Sequence, residues 1–275
     1  MTTRFVRSAR LASGLALAIA LCAATASAQR QSATGSRGHS ALGDSRQLLL
    51  VITGDWTSVA GTLERFERAN AAGSWKPVGA RVPVVVGRSG LAWGRGVQTE
   101  RSAGPTKVEG DGKAPAGIFR LGTVFGQSAD KPAAAAMPYL FLNDNVECVD
   151  DARSAHYNQL VAKPHVDRVD WTSSEKMWAE PLYKWGLVVE HNAAPVETAA
   201  GSCIFLHIWR GPGSATAGCT AMDESNLLDT IAWLDGAKHP LLVQLPRAEY
   251  ERLKTAWGLP TNKEPRGPLA TREAP

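Results

Sequence analysis

The chain has 275 residues, of which 44% are hydrophobic and 20% charged, with a formal net charge of +4. That composition suits a soluble globular protein with room for one good core or two small ones. The raised Gly (26) and Pro (16) counts favour a turn-rich β-protein over a helical bundle.

Arg4, Arg7 and Arg10 supply three of the four net positive charges. They precede an apolar run over 11–24 and the small-residue site Ala26-Ser27-Ala28. Residues 1–28 therefore read as a secretory signal, with cleavage before Gln29. The run is shorter than the ~20 residues a span needs, so no stable membrane span is expected after cleavage. Leu21 ahead of Cys22 also departs from a lipoprotein signal. The mature chain is left at about +1, which removes any nucleic-acid footprint. The expected location is across the inner membrane, in the periplasm, and no obligate protein partner is evident.

Residues 29–45 are polar, Gly/Ser-rich and aperiodic, and read as a flexible linker. The apolar run 48–52 reads as a buried strand. Residues 61–68, then Ala71-Ala72-Gly73 and 75–78, resemble a hairpin, with a short helix from Val59 as the alternative. A β-branched strand over 82–86 ends at Gly87, followed by a Gly-rich stretch from Gly90 to Gly96. Further strands are expected at 118–121 and 140–142, and one or two helical turns at 173–178. Strands at 187–190 and 204–209 follow, the second carrying His207. A helix capped by Asp223 presents Leu227, Leu228, Ile231 and Leu234 on one face. A strand at 241–245 and an amphipathic helix at 247–257 complete the pattern, and 261–275 reads as a disordered tail. With no internal repeats and no regular strand–helix alternation, the expected architecture is one mainly β domain over 46–260 with a few peripheral helices.

Three cysteines survive processing, and an odd count in an oxidising compartment suggests one disulfide and one free thiol. Cys148 in Val146-Glu147-Cys148-Val149 and Cys203 in Ser202-Cys203-Ile204-Phe205 lie in strand-like apolar surroundings. Cys219, in Thr216-Ala217-Gly218-Cys219-Thr220, sits in what reads as a flexible, exposed turn. The expected bridge is Cys148–Cys203, leaving Cys219 free.

The stretch with chemical content is Phe205-Leu206-His207-Ile208-Trp209, a loop over 210–216, then Ala217-Gly218-Cys219-Thr220-Ala221-Met222. A thiol attacks a carbonyl carbon as the thiolate, so it needs a base or a positive field beside it. His207 precedes Cys219 by twelve residues, compatible with strand, turn and return side by side. Backbone N–H groups around Gly218 and Cys219 could receive a developing oxyanion, with Gly218 permitting close approach. On these residues alone a buried strand histidine is more often a satisfied core residue.

The pattern His207…Ala217-Gly218-Cys219 resembles the catalytic signature of the L,D-transpeptidase (YkuD-type) family, a His, a loop, then Ser-His-Gly-Cys and commonly Arg. The segment Gly110-Asp111-Gly112-Lys113-Ala114-Pro115-Ala116-Gly117-Ile118-Phe119 is similar to the family's Thr-Pro-x-Gly-x-Phe stretch, and Met222 matches the hydrophobic residue after the cysteine. The likeness covers about 48–245. It implies a β-sandwich-like catalytic fold, no metal or organic cofactor, and peptidoglycan stem peptides as substrate. Cys219 would be the nucleophile, His207 the base, and the Ile208 carbonyl the group that orients the imidazole. The resemblance implies transfer of the acyl group to an amine, a cross-link, or to water, a carboxypeptidase outcome. Ala217 stands where the family has a second histidine, and Ala221 where it has an arginine. Arg210 or Lys113 is expected to supply the missing positive charge.

His191 ends an expected strand and is a secondary cleft candidate, with a strand-end surface role as its equal alternative. Trp93 and Trp209 could line the cleft, Trp209 on the face of His207 by alternation. Trp185, Trp233 and Trp257 read as core. Asp150-Asp151 lacks the His/Cys company of a metal site. Gly110-Asp111-Gly112-Lys113 fails as a phosphate loop, because Lys107 stands at the required glycine and Ala114 replaces Ser/Thr. Two rivals remain. One is a degenerate member that binds wall peptides without catalysis. The other is a papain-like hydrolase, for which the only histidine after Cys219 is the poorly placed His239.

Overall fold

Apolar runs and alternating segments become strands where the sequence expects them, and the computed structural model describes residues 41–98, 101–132 and 135–261. The signal segment 1–28, linker residues 29–40 and tail residues 262–275 lie outside the described residues. In chain order the strands are β1 (Gln47–Thr53), β2 (Ala60–Glu67), β3 (Lys76–Val85), β4 (Leu91–Trp93), β5 (Ala114–Gly126), β6 (Tyr139–Phe141) and β7 (Val146–Val149). They continue with β8 (Leu160–Ala162), β9 (Ser174–Glu175), β10 (Trp185–Val189), β11 (Phe205–Ile208), β12 (Thr220–Met222) and β13 (Leu241–Pro246). The helices are α1 (Glu224–Trp233) and α2 (Arg247–Trp257). The chain is mainly β.

All seven residues of β1 are buried, which explains its continuous apolar run, and it pairs antiparallel with β2 and parallel with β13. Residues 61–68 adopt the hairpin rather than the helical alternative. Leu63 and Phe66 of β2 are buried while β2 pairs with β3 from Ala60↔Val85 to Glu67↔Lys76. The long β5 serves two neighbours in turn, pairing with β13 through Gly117–Arg120 and with β10 through Leu121–Gly126. The pairings β10-β11-β12-β3-β2-β1-β13-β5 therefore return to β10, with β4 and β6 added along β5. A second, three-stranded sheet has the order β8-β7-β9.

Asp223 caps α1, its carboxylate accepting from the Ser225 N–H at 2.9 Å. Leu227, Ile231 and Leu234 enter the main core, and Tyr250, Leu253 and Trp257 of α2 do the same. The Cys148–Cys203 disulfide is present and ties β7 of the small sheet to the segment entering β11.

Four expectations change. Residues 173–178 are not helical turns: Ser174 and Glu175 extend as β9 against Val149 and Cys148, and a 3-10 turn, Met177–Ala179, follows. Pairing with β7 outweighs the local helical preference there. Trp93 belongs to β4 and is buried against Trp56 and Trp257, so it does not line a cleft. Trp185 and Trp233 are only partly buried against the core. At the end of the expected linker, Leu42 is buried, and the Arg68 guanidinium donates to the carbonyls of Gly43 (2.8 Å) and Ser45 (2.6 Å).

Candidate active site

Side-chain alternation on β11 and β12 sorts residues between two cores. Leu206 and Met222 enter the large core, while Phe205 and Cys219 enter a smaller cluster with Cys148, Cys203, Met177 and Tyr183. The strands run parallel with His207 opposite Ala221, so Cys219, two residues before Ala221, shares the face of His207 and lies one pleat away along the neighbouring strand. Two residues along one strand and one strand across put the two backbones about 8 Å apart. Both residues line one cavity of about 470 Å³. Expected as an exposed turn, Cys219 is instead 7% exposed and His207 is 6% exposed.

The imidazole has a defined orientation. Its Nδ1 lies 2.8 Å from the Ile208 carbonyl oxygen, so that nitrogen carries the proton and Nε2 is left as the basic atom. The Tyr183 ring meets His207 edge-on, with centroids 5.3 Å apart, and packs likewise on Phe205 at 5.5 Å. Burial pushes the imidazole pKa below its usual value, with Ile208 and Glu180 opposing and Arg210 reinforcing the shift. His207 is therefore neutral at neutral pH.

The thiol is cradled by backbone. Phe205 N–H donates to Sγ at 3.3 Å, and Sγ–H points to the Cys203 carbonyl at 3.5 Å. Burial drives the thiol pKa well above the ordinary range, helped by Glu175, while Phe205 N–H, Lys107 and Tyr183 pull the other way. Thiol and imidazole thus rest as a neutral pair, not as a thiolate–imidazolium pair.

The turn into Cys219 is built by Thr216. Its hydroxyl accepts from the Gly218 N–H at 3.1 Å and donates to the Cys219 carbonyl at 2.6 Å. The expected oxyanion donor at Gly218 is therefore already engaged by a side chain. Gly218 packs closely on the neighbouring segment: a Cβ there would sit 3.2 Å from the Lys113 carbonyl oxygen. Ala217 is exposed at the cavity lip, and Ala221 is fully buried.

Other expected site residues divide. Arg210 and Trp209 line the cavity. Lys113 does not: its ammonium donates to the Ser89 carbonyl at 2.7 Å, and only its backbone approaches the site. His191 is also absent from the cavity. It is 2% exposed, Nδ1 accepts from the Arg95 N–H at 3.2 Å and Nε2 pairs with the Ala200 carbonyl at 3.0 Å. That is a satisfied core histidine, held neutral by burial with its pKa near 4.

Glu175, Tyr183, Lys107, Arg88 and Thr216 were not singled out from the sequence. Only Thr216 had a legible signal, a Thr two residues before a Gly in a turn. The Tyr183 hydroxyl donates to Glu175 at 2.5 Å, and burial with nearby Asp150, Glu180 and Glu109 raises that carboxyl to about 7. Among the described residues, no group of three or more His, Cys, Asp and Glu side chains could hold a metal ion.

Comparison with known families decides the lineage. The model of the L,D-transpeptidase catalytic domain (YkuD) matches residues 66–245. The chain belongs to the L,D-transpeptidase family. The match runs from within β2 to the penultimate residue of β13, so it contains the whole His207–Cys219 unit. Neither a search of curated proteins nor one of solved structures returned a match. Members of this family act on peptidoglycan, and in this chain the segment 205–222 carries both His207 and Cys219 with one loop between them.

Proposed function

We propose that the protein is an exported cysteine L,D-transpeptidase that acts on peptidoglycan stem peptides in the periplasm, on a sandwich-like catalytic fold. One observation carries the reading: in a chain of this family, the free thiol of Cys219 and an imidazole with a basic Nε2 share one face and one cavity.

In the proposed first step, Nε2 of His207 takes the thiol proton as Sγ bonds to the carbonyl carbon of the third stem residue. The carbonyl becomes an oxyanion. Its collapse breaks the C–N bond, the imidazolium returns its proton to the departing amine, and a thioester remains. An acceptor amine, or water, then attacks the thioester as His207 takes up its proton; the C–S bond breaks, and the imidazolium returns the proton to Sγ. Because the resting pair is neutral, the proton moves with the attack. A neutral imidazole suits that task, and the Ile208 carbonyl steadies the imidazolium that forms.

A second reading is a peptide-binding member without turnover. The buried, high-pKa thiol and the exposed Ala217 at the lip favour it. Incubation of residues 29–275 with a tetrapeptide muropeptide separates the two. The enzyme releases terminal D-alanine, and Cys219→Ala and His207→Ala each lower that release at least about 1000-fold. Muropeptide binding with no D-alanine release from the unaltered protein would establish the second reading instead.

A further inference from the structure

Two residues beside Cys219 take no part in the acyl-transfer steps set out above. Glu175 ends β9, Tyr183 ends the 3-10 turn Pro181–Tyr183, and both line the cavity with the thiol. The Tyr183 ring is fixed edge-on against Phe125, Phe205 and His207, with centroids 5.8, 5.5 and 5.3 Å away. Its hydroxyl therefore has a settled place, 2.5 Å from a Glu175 carboxyl oxygen.

An O···O distance of that size suits a hydrogen bond in either direction, and a phenol has one proton to give. With Glu175 ionised, that proton points to the carboxylate. With Glu175 protonated, the carboxyl donates to the phenol oxygen, and the phenol proton is released to another acceptor. Sγ of Cys219 is such an acceptor. The Tyr183 hydroxyl acts on it as a hydrogen-bond donor, favouring the thiolate, while the Glu175 carboxylate opposes the thiolate through its charge. Burial, with negative charge on Cys219 and Glu175, holds the phenol pKa well above its usual value. Tyr183 thus lends a hydrogen bond and keeps its proton.

The surroundings of Glu175 make its proton easy to keep. In the same small sheet Glu147 has Lys163 and Lys176 at 2.9 and 2.6 Å. Among the described residues no cation pairs with Glu175. Asp150 after β7, Glu180 ahead of the 3-10 turn and Glu109 ahead of β5 all face it with like charge. Lys107, which acts on Sγ, is paired with Asp111 at 2.7 Å. Burial first, and then these carboxylates, raise the Glu175 carboxyl to about 7 against the pull of Tyr183.

Resting on the transpeptidase reading, we propose that Glu175 is a positioning residue for acyl transfer: protonated, it turns the Tyr183 hydroxyl toward Sγ, and ionised, it keeps that hydroxyl for itself. Negative charge grows on sulfur as Nε2 of His207 takes the thiol proton, and the redirected hydroxyl meets that charge. No covalent bond changes at either residue.

Iodoacetamide alkylation of residues 29–275, with the adduct mapped to Cys219, reads the thiol without any peptide. Variant and wild type are compared at matched pH, so the titrations of His207 and of the thiol cancel in the ratio of rates. Glu175→Gln keeps a donor toward Tyr183 and carries no charge. Its rate relative to wild type is expected to climb about 10-fold from pH 6 to pH 8, as the wild-type carboxyl ionises. Tyr183→Phe keeps the ring on His207 and should slow alkylation at least about 10-fold at pH 6, and less at pH 8. A ratio level with pH, a Glu175→Gln protein slower than wild type throughout, or an unslowed Tyr183→Phe each overturns the proposal. D-alanine release from a tetrapeptide muropeptide is read in the same preparations. Release with a level ratio removes only the role of Glu175. The stated alkylation pattern without release removes the transpeptidase reading and leaves the pair's hold on the thiol.

Discussion

Two histidines close to each other in sequence have opposite fates, and hydrogen-bond partners decide them. His207 spends one nitrogen on Ile208 and keeps the other at a cavity wall, whereas His191 spends both on backbone. The consequence for stability is a matter of sign. The folded pKa of His191 is near 4, below the unfolded value of 6.5. Its contribution is complete above pH 6.5 and is lost as pH falls toward 4, because the unfolded chain binds the proton first. Between pH 7 and 4.5 that amounts to roughly 2 kcal/mol. Urea titrations at those two pH values should show His191→Gln losing less stability on acidification than the wild type. An identical drop in both proteins would contradict the assignment. His207 shifts in the same direction, so a residual acid sensitivity is expected in the variant.

Strands place the reactive groups, and a second sheet holds them there. β11 and β12 set the face, and the thiol's acceptor is the carbonyl of Cys203, just ahead of β11. Cys203 has φ +54°, its N–H is fixed by Asn158 at 2.9 Å, and its sulfur is bridged to β7. The small sheet is in turn pinned by Glu147, whose carboxylate accepts from Lys176, Ser174 and Trp171. Burial opposes ionisation of Glu147, yet these donors and Lys163 hold its pKa near 2. The disulfide closes a separation of 55 residues, for which loop entropy gives about 4 kcal/mol. Cys148→Ser should lower the unfolding free energy read from urea titration by an amount of that order, and with it the midpoint, under oxidising conditions. An unchanged midpoint would show that packing, not the bridge, secures the cradle.

At the scale of the whole molecule, periodicity located most strands because one face of each enters the core. β1, β13, α1 and α2 were legible for that reason, and the odd cysteine count with the local surroundings of each cysteine pointed to the Cys148–Cys203 bridge. What escaped was long-range. The extended shape of Ser174–Glu175 comes from pairing with β7, and the burial of Cys219 comes from Phe205 and Tyr183 arriving from other elements. Neither leaves a local pattern. His191 and Lys113 were misplaced because their partners, Arg95, Ala200 and Ser89, are remote in sequence or lack a motif. The return of the strand pairings to β10 depends on β5 changing partner from β13 to β10 along its length, which no hydrophobic repeat announces.

The central claim is that the sulfur at position 219 carries the acyl group. Intact-mass analysis of residues 29–275 quenched in acid during reaction with a tetrapeptide donor tests it most directly. The account predicts a mass gain equal to the donor minus its terminal residue, mapped to the peptide containing Cys219 and absent from His207→Ala. An unmodified protein that still converts substrate, or an adduct mapped to another residue, would contradict it.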